Sequence, residues 1–220
     1  MQTESAESSP NWPLYLGLLV LAALWLGPLP AMSRTAFSLH MILHLGVVAL
    51  AAPLLAIGMA RAGLCLDRYA SATWLSLAFI AELLVVWGWH LPALHEAAAL
   101  RAPLFVLQQA SFLAVGLAIW LLGFARRSQQ GLVLTLCGFF LTFAHMTMLG
   151  VVLIMAPQLI YPPELCLGAF GLQALDDQRL GGMLMAGWSA VVYLGATLAL
   201  AGRLLRDDES LLGDEAGPAR

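Results

Sequence analysis

Two histidines four residues apart, His40 and His44, stand near one end of an apolar run from His40 to Gly58, HMILHLGVVALAAPLLAIG. In a helix that spacing puts both imidazoles on one face, about 6 Å apart along the axis. An ionisable side chain inside a membrane-length apolar segment is costly and marks a functional site by default. The structural alternative is a hydrogen bond to a neighbouring helix. Two of the histidines are followed by a methionine, His40-Met41 and His145-Met146, and Met148 adds a thioether three residues after His145, on the same helical face. Imidazole with thioether suits copper, above all Cu(I), whereas imidazole with carboxylate accommodates Zn(II) or Cu(II). Metal binding needs neutral imidazoles, and burial favours the neutral form. Met41 and Met146 point about 100° away from their histidine neighbours, and methionine is also an ordinary gap-filler of apolar cores.

Further candidates surround these. His90 lies in WGWHLP, where Trp87 and Trp89 read as residues of a membrane interface and Pro92 ends the helix. His95, in LHEAA, reads as a solvated residue of an exposed loop. Glu82 falls near the middle of an apolar run, where a carboxyl group must be protonated or paired inside the bundle. In LDDQRLGGMLM, one of Asp176 and Asp177 caps the helix that follows, and the other is free to face the histidines. Gly181-Gly182 admits a close neighbouring backbone, and Gln108, Gln109, Ser111 and Thr142 can bond helices together. The candidate metal set is therefore His40, His44, His90, His145, Asp177 and Met148. No phosphate loop or nucleophile elbow accompanies it, so a non-enzymatic protein is expected.

The elements that must position these residues follow from composition. The chain of 220 residues is 61% hydrophobic and 10% charged, with a mean hydropathy of +0.85. A soluble domain cannot cover that much apolar surface, which predicts an all-α, polytopic transmembrane helix bundle. Apolar runs near the 20-residue spanning length predict six helices, or seven: about Trp12–Leu29, Phe37–Met59, Ala72–Leu91, Pro103–Phe124, Gly131–Met155 and Leu180–Leu200. Residues 1–11 read as a disordered polar tail, 12–203 as the bundle, and 204–220 as an acidic disordered tail. The longest connection, Ala156 to Arg179, reads as a partly structured loop.

Ten basic residues, all arginine, set the orientation. With the N-terminus inside, Arg61, Arg68, Arg126, Arg127, Arg203, Arg206 and Arg220 are cytoplasmic, leaving Arg34, Arg101 and Arg179 outside. Both termini are therefore expected in the cytoplasm, with the histidines in the outer half of the membrane. Cys65, Cys137 and Cys166 are scattered, which argues against a disulfide framework. Nothing in the charge pattern points to nucleic acid.

The blocks HMILHLGVVALAAPLLAIG, WHLPALHEAAAL, FAHMTMLGVVL, the Tyr161-Pro162 pair and LDDQRLGGMLM occur in the order found in the CtaG family, which the chain resembles from about Ser38 to Leu205. Members are integral-membrane assembly factors for caa3-type cytochrome c oxidase in bacteria. The resemblance implies a protein of the bacterial plasma membrane, surrounded by membrane lipid. Its implied partners are cytochrome c oxidase subunits and periplasmic copper chaperones, and its implied cargo is copper, as Cu(I), for the catalytic subunit. By motif match, His40, His44, His90, His145 and Asp177 carry over. The chain departs from the family where members often have a histidine in an EH pair, because Gln108-Gln109 stands there. Three other readings of the histidines remain beside copper delivery: a haem-binding electron carrier, a copper or proton transporter, and a metal-free assembly scaffold.

Overall fold

The apolar runs fold as helices in the computed structural model, which describes residues 10–64, 66, 69, 71–125 and 129–215, with side chains as far as 206. The described residues contain eight α-helices and no strand. They are α1 (Trp12–Leu26), α2 (Leu29–Met32), α3 (Phe37–Arg61), α4 (Ala72–His90), α5 (Pro92–Leu100), α6 (Ala102–Phe124), α7 (Gln129–Met155) and α8, which starts at Ala174 and continues to Glu215. Five of them, α3, α4, α6, α7 and α8, are long and apolar enough to cross a membrane. The sixth expected span is shorter: α1 has 15 residues, about 22 Å at 1.5 Å per residue, and Pro28 follows it.

Proline sets several helix starts. Pro13, Pro30, Pro92 and Pro103 occupy the first or second helical position, where the missing N–H leaves nothing unpaired. Ser71 opens α4, its hydroxyl accepting the Trp74 N–H at 3.4 Å.

At the centre is α3, with 67% of its apolar window buried against 22% for α8. Glycines let α1 and α8 close on their neighbours. A Cβ on Gly58 would stand 2.6 Å from Leu14 Cα, where α1 crosses α3. A Cβ on Gly182 would stand 2.6 Å from the Gly150 carbonyl oxygen, so α7 and α8 touch backbone to backbone. The close approach expected of Gly181-Gly182 is present.

Both α3 and α8 contain a π-turn, at Val47–Ala51 and Ala190–Leu194. In α3 the Ala52 N–H bonds to the Val47 carbonyl, one residue further back than in an α-helix, just ahead of Pro53. That leaves the Val48 carbonyl without its helical donor. It accepts the hydroxyl of Tyr193 at 3.1 Å, a residue of the π-turn in α8.

Three sequence boundaries move. The helix carrying the aspartates begins at Ala174, so Asp176 and Asp177 lie in its first turn and the connection shortens to 156–173. The backbone after residue 203, expected as a disordered tail, is helical through Glu215. His95, expected in an exposed loop, lies on α5 and is buried, because Pro92 starts a new helix that folds back on the bundle. Residues 1–9 and 216–220, Cys65, Arg68, Arg126 and Arg127 lie outside the described residues.

Candidate metal centre

Three elements bring four imidazoles together at one end of the bundle. His40 and His44 come from α3, His90 from the last turn of α4, and His95 from α5. The His40 and His44 rings are 6.4 Å apart and nearly parallel, as the i, i+4 spacing requires. His40 meets His90 edge-on at 5.5 Å and His95 at 4.7 Å, and His44 meets His90 at 5.3 Å. All four are buried. Phe112 closes the cluster from α6, 4.1 Å from the His44 ring. Tyr161 covers the other side, stacked on Phe37 at 4.7 Å and tilted against His95 at 4.4 Å, while its hydroxyl donates to the His90 carbonyl at 3.0 Å.

His145, on α7, stands apart from these ring contacts. Its Nε2 lies 2.8 Å from Glu82 Oε2, an oxygen that also accepts the Thr142 hydroxyl at 3.3 Å. The pairing expected for an intramembrane Glu82 is thus present. Glu82 is eight residues before His90 on α4, about 12 Å along the helix.

Asp177 is placed differently from expectation. Its carboxylate accepts the backbone N–H groups of Phe37 at 2.7 Å and Ser38 at 3.3 Å, the Ser38 hydroxyl, and the Ala169 N–H at 3.2 Å. It therefore caps α3, the helix of His40 and His44, rather than its own, and four donors occupy it. Gln178 beside it accepts the Ile160 N–H at 2.8 Å and donates to the Leu153 carbonyl at 3.4 Å, tying the 156–173 connection to the end of α7. Asp176 is exposed and pairs with Arg179 at 3.4 Å.

Met148 also leaves the candidate set. It is 53% exposed, because α7 turns His145, Met146 and Leu149 to the bundle and Met148 to the outside. Met41 and Met146 are buried among apolar neighbours. The donors at the cluster are nitrogens, which on ligand type alone suit copper, zinc, iron or nickel.

A metal fits this set by chemistry. His40 Nε2, both ring nitrogens of His44, His90 Nε2, His95 Nδ1 and His145 Nδ1 are buried without a hydrogen-bond partner. In His90, Nδ1 lies 2.6 Å from the Val86 carbonyl, which only accepts, so Nδ1 carries the proton and Nε2 presents a lone pair. A backbone carbonyl holding the far nitrogen of a histidine is the usual support of a metal ligand. Two imidazoles sharing a tetrahedral ion at 2.0–2.1 Å have ring centres about 5 Å apart, the spacing found here. The lone pairs do not yet converge. Among the described residues no three His, Cys, Asp or Glu side chains form a ready metal cage, so closing on an ion requires the rings to turn.

His95 is the member that sequence reasoning missed. Burial drops its pKa to about 3, so it is neutral at physiological pH. The signal available was Pro92, which converts the apparent loop into a helix start. Gln108, at the point of departure from the family pattern, lines the same narrow gap as His40 and His95, with its Nε2 unpartnered.

The profile of the cytochrome c oxidase caa3 assembly factor (CtaG) family matches residues 7–207. The chain belongs to that family. As a CtaG member it is a membrane protein that serves cytochrome c oxidase assembly. The histidine cluster, Asp177 and the Glu82–His145 pair all fall inside the matched region. No curated protein and no solved structure matches the chain.

Proposed function

We propose that this CtaG protein acts without catalysis, holding copper at the histidine cluster and passing it to a subunit of cytochrome c oxidase. The observation that carries this reading is the burial of unpartnered ring nitrogens on four histidines contributed by three helices. Unpartnered buried polar atoms are costly, and a cation accepting their lone pairs removes that cost. His40, His44, His90 and His95 would hold the ion, with His145 beneath them oriented by Glu82. Asp177 supports the site from a distance by fixing the start of α3. Imidazoles alone, without thiolate or thioether, leave Cu(I) free to pass to a site with the softer ligands it prefers.

The arginine distribution supports a bundle with both termini in the cytoplasm and the cluster in the outer half of a bacterial plasma membrane. There a periplasmic copper chaperone could load it and an oxidase subunit unload it. The haem reading is less favoured, because the four rings contact one another and leave only a narrow gap beside them. The test is His40→Ala/His44→Ala expressed in cells. Copper per protein and oxidase activity are both expected to fall, and unchanged copper would sink the reading.

A further inference from the structure

Ligand type alone leaves the centre open to doubly charged ions such as Zn(II). The charges around it do not. The gap bordered by His40, His95 and Gln108 is also bordered by Arg34, which precedes α3. Arg34 is held on two sides: its Nε donates to the Ala99 carbonyl of α5 at 2.5 Å, and its guanidinium lies 5.8 Å from the Phe105 ring centre on α6. Among the described residues no carboxylate pairs with it. Its positive charge therefore stands fixed at the mouth of the cluster.

Among the described residues no carboxylate pairs with any of the four clustered rings. The four clustered rings supply neutral nitrogens. Glu82 lies on the far side, engaged by His145 and Thr142, and Asp177 is turned to the backbone of α3. An ion bound here keeps its full charge in a low-dielectric environment, where the cost of burial grows as the square of the charge. A divalent ion thus costs about four times as much as a monovalent one, and Arg34 repels it twice as strongly.

We infer that Arg34 makes the histidine centre selective for singly charged, nitrogen-accepting ions, Cu(I) and its analogue Ag(I), over Zn(II) and Cu(II). The inference rests on the metal-binding reading above and adds to it the charge of the cargo and the residue that selects it. Arg34 is not a ligand. It acts through the field at the mouth of the gap, so its effect tracks its charge.

The experiment is a competition titration on full-length protein purified in detergent, with Cu(I) under reducing conditions and Zn(II) against chromophoric chelators. Four chains are compared: wild type, Arg34→Lys, Arg34→Gln and Arg34→Glu. Wild type is expected to bind Cu(I) in preference to Zn(II), and Arg34→Lys to keep that preference. Arg34→Gln is expected to raise Zn(II) affinity about tenfold more than Cu(I) affinity, a 1.4 kcal/mol difference, and Arg34→Glu more again. Wild-type preference for Zn(II) overturns the inference while leaving metal binding intact. Equal shifts for both ions in Arg34→Gln also overturn it. Absence of binding of either ion removes the metal reading and this one with it.

Discussion

Asp177 accepts the backbone N–H of Phe37 at 2.7 Å, so a residue of α8 closes the N-terminus of α3 across 140 positions of sequence. The first N–H groups of any helix lack an internal partner, and a carboxylate there also meets the positive end of the helix dipole. His40 and His44 begin three residues further on. The aspartate of the DQ block and the histidines of the HMxxH block thus form one structural unit, although the aspartate does not face the histidine rings.

Asp177→Ala is expected to lower stability by about 1–3 kcal/mol, the cost of leaving buried donors without their charged partner. Asp177→Asn keeps the acceptor and is expected to lose less. Thermal unfolding in detergent measures both. If Asp177 were a ligand, Asn would instead abolish metal binding with little loss of stability.

The pairing of His145 with Glu82 is tested by a double-mutant cycle. Glu82→Leu leaves His145 Nε2 without a partner in the bundle and is expected to cost about 1–3 kcal/mol. His145→Leu/Glu82→Leu is expected to cost less than the sum of the single changes, because each single change strands the other group. Strict additivity of the unfolding free energies would dissolve the pair.

Acid is expected to destabilise the fold through His95. Its folded pKa of about 3 lies below the ordinary histidine value of about 6.5, so the unfolded chain binds the extra proton first. The stability this group contributes is complete above pH 6.5 and is lost as pH falls from about 6.5 to about 3, at up to ~1.4 kcal/mol per pH unit. His95→Gln should flatten that part of the profile in a pH series of thermal melts. An unchanged slope would show that His95 is not buried.

The crossing of α7 and α8 makes a prediction with an internal control. A Cβ on Gly182 would press on the Gly150 carbonyl oxygen at 2.6 Å, whereas one on Gly187 meets nothing within 4 Å. Gly182→Ala is expected to cost about 1–3 kcal/mol through overpacking, and Gly187→Ala to stay within about 0.5 kcal/mol. Equal melting temperatures for the two variants would contradict the close crossing.

Much of the bundle was legible because spanning length and hydropathy are properties of single segments. His40, His44 and His90 could be assigned to one end by counting along apolar runs. What escaped depended on how helices meet. His95 looked solvated because its partners, Phe37 and Tyr161, are far away in sequence. Asp177 entered the candidate metal set, with one of the two aspartates expected to cap their own helix, since a carboxylate near a helix start gives no sign of which helix it will serve. Met148 shares a face with His145 only approximately: i+3 falls short of a full turn by about 60°, enough to turn its side chain outward. Each miss is tertiary in origin.

The most direct test of the central claim is metal content of the detergent-purified protein after Cu(I) loading, wild type beside His40→Ala/His44→Ala, with a visible spectrum of each. The account predicts stoichiometric copper in wild type, its loss in the double variant, and no haem band in either. Copper retained in full by the double variant, or a haem band in wild type, would contradict it.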